Sequence, residues 1–156
     1  IDGEIIGNWF EEGTVNYSGG DEWTSEKRYW AGHLAIVPDN LDPDRFIISV
    51  GYLEGQGQQN QFSTPKNLPS PAKVGVGDGP IKYDLKNWTY LESDGSEWNR
   101  MHYVKGGLTL ENEKSQLIGC GLVELLEARK LKFEAFLGRS CSSVSGFTST
   151  ARIYRR

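Results

Sequence analysis

Alternation of apolar and polar positions with a period of two recurs along this chain. Leu131, Phe133, Ala135 and Leu137 share one side of a stretch whose other side carries Lys132, Glu134 and Phe136, the pattern of a strand with one face against a core. Arg28 to Val37 and Arg45 to Glu54 are two further β-rich runs. Between them lies Pro38-Asp39-Asn40-Leu41-Asp42-Pro43-Asp44, whose prolines cannot donate to a ladder and whose Asp and Asn residues favour turns, so the pair predicts a hairpin. A second hairpin is predicted for Ile81 to Glu92 and Trp98 to Lys105, which flank Ser93-Asp94-Gly95-Ser96; Asp-Gly supplies the positive φ of a tight connection. Strands over Glu4 to Phe10, Thr14 to Tyr17, Gly107 to Leu110 and Phe147 to Tyr154 bring the expected total to eight to ten.

Two segments depart from the pattern. Residues 55–80 are rich in Gly and Gln, carry prolines at 65, 69, 71 and 80, and offer few apolar side chains, which predicts a long loop. Such a loop either carries function or is surface filler. Between Glu111 and Lys130, Ile118, Leu122, Leu125, Leu126 and Arg129 have helical spacing, whereas Gly119 and Gly121 weaken a helix. A short helix and a bulged strand both fit. Serial hairpins with mostly short connections predict an all-β fold, a single antiparallel up-and-down β-barrel over residues 1–156 with room for one short helix. A β-sandwich or jelly roll, which needs longer crossovers, is the alternative.

Composition narrows the classes of function. A chain of 156 residues suits one domain, and 19 glycines with five Trp, seven Tyr and six Phe suit a turn-rich β fold. A formal charge of −4, from 17 basic and 21 acidic residues, argues against a nucleic-acid partner. Arg152, Arg155 and Arg156 cluster near the end and read as a solvated tail before a binding patch. No apolar run approaches the roughly 18–20 residues of a membrane-spanning helix. Cys120 and Cys141 are too few for a disulfide framework; they form one bridge or stay buried thiols. The sequons Asn16-Tyr17-Ser18 and Asn87-Trp88-Thr89 would matter in a secreted eukaryotic protein, and the compartment stays open. The start at Ile1, without methionine, reads as a processed form or an excised piece.

The two ends carry a family resemblance. Gly7-Asn8-Trp9 resembles the Gly-x-Trp that opens lipocalins and related calycin barrels, and Thr150-Ala151-Arg152-Ile153-Tyr154 is similar to the closing strand of fatty-acid-binding proteins. The second resemblance implies that Arg152 and Tyr154 reach into the cavity and hold a ligand carboxylate. The first implies instead that Arg152 packs over Trp9 as a closure pair. No helix-turn-helix lid follows the first strand, and no central lipocalin motif is present. Gly107-Leu108-Thr109-Leu110-Glu111, Leu131-Lys132-Phe133 and Ser145-Gly146-Phe147 also resemble the S-type bilin lyases of cyanobacteria, themselves calycins, although Glu11-Glu12-Gly13-Thr14 replaces their serine-rich opening.

The residues themselves sharpen this into candidates. On a last strand, Arg152 and Tyr154 share a face with Thr148 and Thr150, opposite Phe147, Ala151 and Ile153; an inward Arg152 needs an anionic ligand or a protein carboxylate, and the alternative is a solvated Arg152 with Ile153 inward. Trp30, Tyr52, Trp88 and Tyr103, with Tyr90 and Trp98, are candidates for apolar walls with polar tips, although side chains on separate strands cannot all face one cavity. A row of them on an open face would suit sugar stacking. His33 and His102 lack the ligand spacing of a metal site, no Gly-x-Ser-x-Gly elbow occurs, and Glu11-Glu12 and Asp42/Asp44 read as solvated turn acids. Gly75-Val76-Gly77-Asp78-Gly79 lacks the Lys-Ser/Thr of a phosphate loop. The expectation is therefore a binding protein, without catalytic residues, metal or cofactor, for a small apolar or amphipathic ligand. The alternatives are a β-sandwich recognition module for glycan or protein partners and a chromophore-handling protein like the bilin lyases.

Overall fold

The computed structural model describes residues 1–14, 31–66 and 69–156. Its strands are β1 (Gly7–Glu11), β2 (His33–Pro38), β3 (Phe46–Leu53), β4 (Gly57–Ser63), β5 (Ile81–Lys86), β6 (Thr89–Leu91), β7 (Thr109–Glu111), β8 (Leu117–Glu127), β9 (Lys130–Leu137) and β10 (Arg152–Arg155). Eight of them close a barrel in the order β1-β10-β9-β8-β5-β4-β3-β2, every neighbouring pair antiparallel, while β6 and β7 form a separate two-stranded sheet. This is the up-and-down barrel expected from serial hairpins, and its closure excludes the sandwich and the jelly roll. Among the described residues no helix is long and apolar enough to cross a membrane.

The alternation on β9 places Leu131, Phe133, Ala135 and Leu137 inside, where they meet Trp9, Leu34, Ile36, Ile48, Val50, Leu85, Val123 and Tyr154. The segment of mixed helical and strand signals is β8, with register irregularities at Leu85/Lys86 and at Leu125/Glu127. Its glycines are needed for proximity. A Cβ on Gly121 would lie 3.1 Å from Leu85 and 3.3 Å from Phe133, and one on Gly119 only 2.5 Å from the Phe136 carbonyl oxygen.

Several boundaries differ from the sequence expectation. The predicted 55–80 loop contains β4, a barrel strand that is poor in apolar residues because ladder bonds to β3, and inward Phe62, suffice to hold it. The real connection begins after Ser63. Ile81 to Glu92 divides at Asn87-Trp88, so β5 stays in the barrel and β6 leaves it. The tight turn at Ser93–Ser96 forms, with Gly95 at φ 83° and Trp98 N–H donating to the Tyr90 carbonyl (2.8 Å), but the returning chain does not continue as a strand to Lys105. There the side chain of Asn99 accepts from the Met101 N–H (2.8 Å) and closes a local turn, and β6 pairs with β7 instead. The last strand starts at Arg152 and not near Phe147, because Thr148 and Thr150 turn to bond Glu134. The predicted Thr14–Tyr17 strand lies, beyond Thr14, outside the described residues.

Cys120 and Cys141 form a disulfide. Cys120 faces outward from β8 into a small second core with Leu122, Phe136 and Val144, so the bond staples the 138–151 connection to the barrel wall. That connection feeds β10. The thinnest seam is between β4 and β5, where one residue pair, Ser63 and Lys86, is in register. Side chains reinforce it: buried Arg45 donates to Asn112, whose amide donates to Ser63 Oγ (2.8 Å), which in turn donates to the Lys86 carbonyl (3.2 Å).

Candidate functional site

The two ends of the barrel are chemically different, and β10 reaches both. At one end, where β3 and β9 finish and β10 begins, a cavity of about 300 Å³ opens. Val50, Leu53, Phe133, Ala135 and Leu137 form its apolar wall, with Arg152, Tyr154, Glu54, Glu134 and Thr150 as polar neighbours. The volume is at the lower end of ligand pockets because large side chains, Trp9, Tyr83 and Tyr154 among them, fill the barrel below it.

Within this mouth, Arg152 and Tyr154 stand two residues apart on one face of β10, as strand periodicity requires. The Arg152 side chain is 30% exposed; its Nη1 donates to the Tyr52 carbonyl (3.2 Å) and lies 3.6 Å from Glu11 Oε2. Its guanidinium also stands 6.0 Å from the centre of the Tyr52 ring. Tyr154 is buried against Phe133 edge to face at 6.4 Å. Burial pushes its hydroxyl up to about 12, against the opposing influence of the Arg152 charge, so it is a neutral donor throughout the physiological range. Glu134 stands at the rim and holds the chain that leads into β10. Burial disfavours its charge, but bonds from the Thr148 N–H (2.7 Å), the Thr148 hydroxyl and the Thr150 hydroxyl (2.7 Å) outweigh burial and hold its carboxyl below the ordinary value.

The other end is shut. Residues before β1 cross it, with the Ile5 N–H donating to the Val74 carbonyl (3.1 Å) and the Gly3 N–H to that of Ala128 (3.1 Å). Trp9 is fully buried there and its indole N–H donates to the Ile5 carbonyl at 2.8 Å. Over its ring, at 4.0 Å from the centre, lies the guanidinium of Arg156, whose side chain is 6% exposed. Arg156 donates from Nη1 to the Ile6 carbonyl (2.6 Å) and from Nη2 to the carbonyls of Glu4 (2.8 Å) and Ile1.

This corrects the expected closure pair. The β1–β10 register sets Phe10 opposite Arg155 and Glu11 opposite Tyr154, so continuing the ladder brings Trp9 to Arg156. Arg152 lies beyond Glu11, toward the mouth, and is not the residue over Trp9. The three arginines are therefore neither a tail nor a patch: Arg152 faces the mouth, Arg155 pairs with Glu12 at 2.8 Å, and Arg156 is buried under the floor.

The aromatic candidates do not share one cavity. Tyr52 sits at the rim of the mouth. Trp88, with Tyr90 and Trp98, lies outside the barrel against Ile47 and Leu110, in a groove of about 660 Å³ over β2, β3 and β4. Tyr103 is 86% exposed on the same outer surface, beside Leu41 and Trp98. Trp30 lies outside the described residues. Within the groove, Tyr90 donates to the buried Asp39 carboxylate at 2.6 Å; burial first, then this bond, pushes the Tyr90 hydroxyl up to about 12. The buried indole N–H of Trp88, close to that hydroxyl, makes no hydrogen bond of normal geometry.

Both histidines have polar side-chain neighbours. His33 Nε2 is 3.2 Å from Asn8 Oδ1, and His102 Nε2 is 2.7 Å from Glu92 Oε1 on the surface. Among the described residues no three His, Cys, Asp or Glu side chains form a metal-holding group. Sequence reasoning missed the role of Arg156 and the Arg45–Asn112–Ser63 network. The network carries no local signal, since Asn112 is 67 residues from Arg45. Arg156 had a signal in the opening Gly-x-Trp, but choosing among three arginines required the register.

Comparison of the chain with protein-family models, curated proteins and solved structures finds no match.

Proposed function

We propose that this protein is a calycin-like carrier that holds a small, largely apolar molecule, acidic at one end, in the open mouth of its barrel. The observation that carries the proposal is the position of Arg152: on the inner face of β10, beside a neutral Tyr154 hydroxyl, at the edge of an apolar cavity. The two protein acceptors named above meet it through Nη1, and a guanidinium has a planar fork of five donors suited to a carboxylate. Strand order, the Gly7-Asn8-Trp9 opening and a late arginine over that tryptophan support the calycin assignment.

A volume of 300 Å³ is about ten times that of a liquid water molecule, so the occupant has on the order of ten heavy atoms. Its apolar part would contribute about 25 cal/mol per Å² buried, and the charge-assisted contact would add roughly 1.5–3 kcal/mol and set orientation. Octanoate and octanol have the right size and differ at the end that matters. Isothermal titration calorimetry of both against wild type and Arg152→Ala tests the proposal. The acid should weaken by about tenfold or more in the variant and the alcohol by less than about threefold. Equal losses would reject the anchor, and wild-type protein that binds neither compound would reject the cavity.

A further inference from the structure

Outside the barrel, the groove beside β6 and β7 is concave, aromatic and unconnected with the mouth. It arises because the outward positions of β2 and β3, Ala35, Val37 and Ile47, are apolar: among the described residues Tyr90 and Leu110 pack on Ile47, Ala35 is buried, and Val37 stays half-buried in the lining. We propose that this groove binds an acidic oligosaccharide, with sugar rings against Trp98 and Trp88 and a carboxylate on Arg100.

Three observations converge on that chemistry. Trp98 is a prepared platform: Tyr90 meets it edge to face at 6.3 Å, and its indole N–H is already bonded to the His102 carbonyl at 3.1 Å, which leaves the ring as its contact surface. The polar lining is spread around the apolar floor. Asn40, Ser49 and Gln61 have no protein hydrogen-bond partner for their side chains among the described residues. An aromatic acid would strip water from these groups and return no bonds, whereas ring hydroxyls pair with them. The charge that solvent reaches is the arginine's, since Asp39 is buried and Arg100 exposed. Asp39 is occupied by the N–H groups of Leu41 (2.9 Å) and Asp42 (2.8 Å) and by Tyr90, while Arg100, at the rim, has no ion-pair partner among the described residues. Arg100 also holds a left-handed backbone, φ 64°, uncommon for a long side chain and of the kind that surrounding structure must impose.

A second concavity of about 380 Å³ shares Asn40, Leu41 and Trp98 with the first and continues past Tyr103. Two adjoining hollows that share one indole suit consecutive rings of a chain, which is why the occupant is an oligosaccharide.

The test is calorimetric titration of the full chain with trigalacturonate, a neutral galactotrisaccharide and indole-3-carboxylate. Trigalacturonate should bind about tenfold tighter than the neutral sugar, the margin of one charge-assisted contact. Arg100→Gln should abolish that margin with an unchanged melting temperature, Trp98→Phe should keep part of the affinity that Trp98→Ala loses, and Arg152→Ala should change nothing. The proposal is overturned if the two sugars bind equally, if indole-3-carboxylate binds tighter, if neither sugar binds at millimolar concentration, or if Arg152→Ala removes uronate binding and so assigns it to the mouth.

Discussion

Replacing Arg156 by alanine should unfold this barrel more readily than any other change to its arginine trio. The side chain is 6% exposed and is held by the Ile6 carbonyl at 2.6 Å, the Glu4 carbonyl at 2.8 Å and the Trp9 ring at 4.0 Å. A hydrogen bond from a charged group contributes roughly 1.5–3 kcal/mol net and a partly desolvated cation–π contact about 0.5–2. Water entering the vacated space would recover some of this, so the low ends apply and the loss is about 3–4 kcal/mol. At 2–4 °C per kcal/mol for a chain of this size, Tm should fall by roughly 10 °C. Arg156→Lys should recover less than half, since one ammonium cannot span the carbonyls of residues 4 and 6 and face the ring as a plane. Gly7→Ala probes the same latch from the other side: φ is 130°, and a Cβ would sit 2.8 Å from Arg156 Nη1. Its clash component should vanish in the Arg156→Ala background, leaving the backbone strain. Urea unfolding followed by tryptophan fluorescence measures the four variants against wild type. A loss under about 1 kcal/mol for Arg156→Ala would refute the latch as the closure of the barrel.

Two further outcomes follow from the same geometry. Reducing the Cys120–Cys141 bond, or replacing both cysteines by serine, reopens a loop with a sequence separation of 21 residues and should cost about 3 kcal/mol, read as a lower urea midpoint with an unchanged far-ultraviolet spectrum. Acidification should weaken the fold in two separable windows. Burial lowers the His33 pKa from 6.5, so its contribution is complete above 6.5, where both states are neutral, and is lost as pH falls from 6.5 through the folded value; His33→Gln should flatten that segment of a Tm-versus-pH curve. The Glu134 pKa is lowered from 4.5, so its contribution is present above 4.5 and lost as pH falls through its folded value, and Glu134→Gln should flatten only the lower segment.

Much of the architecture was legible locally. The period-two alternation from Leu131 to Leu137 announced both the strand and its inward face, the Pro and Asp cluster before Arg45 announced the β2–β3 turn, and Asp94-Gly95 announced the turn after β6. Each depends on backbone preferences of a few adjacent residues, which a sequence states directly. For the mouth, two residues chosen from the sequence, Arg152 and Tyr154, do share the inner face of β10.

Other features depended on pairing between distant segments, which no local window contains. β4 was hidden by its glutamines because its stability comes from β3. The helical spacing of Ile118, Leu122 and Leu125 gave way to a strand whose glycines make room for Leu85 and Phe133. Trp88 and Tyr103 left the barrel when the chain parted at Asn87, and a second, external surface came with them. The local pattern was enough to say that strands would form, which face of β9 would be buried and that the two ends were suited to meet. Tertiary structure decided which arginine met Trp9 and which faced the mouth, because a ladder register is set by closure of the whole barrel and a shift along it exchanges one arginine for another.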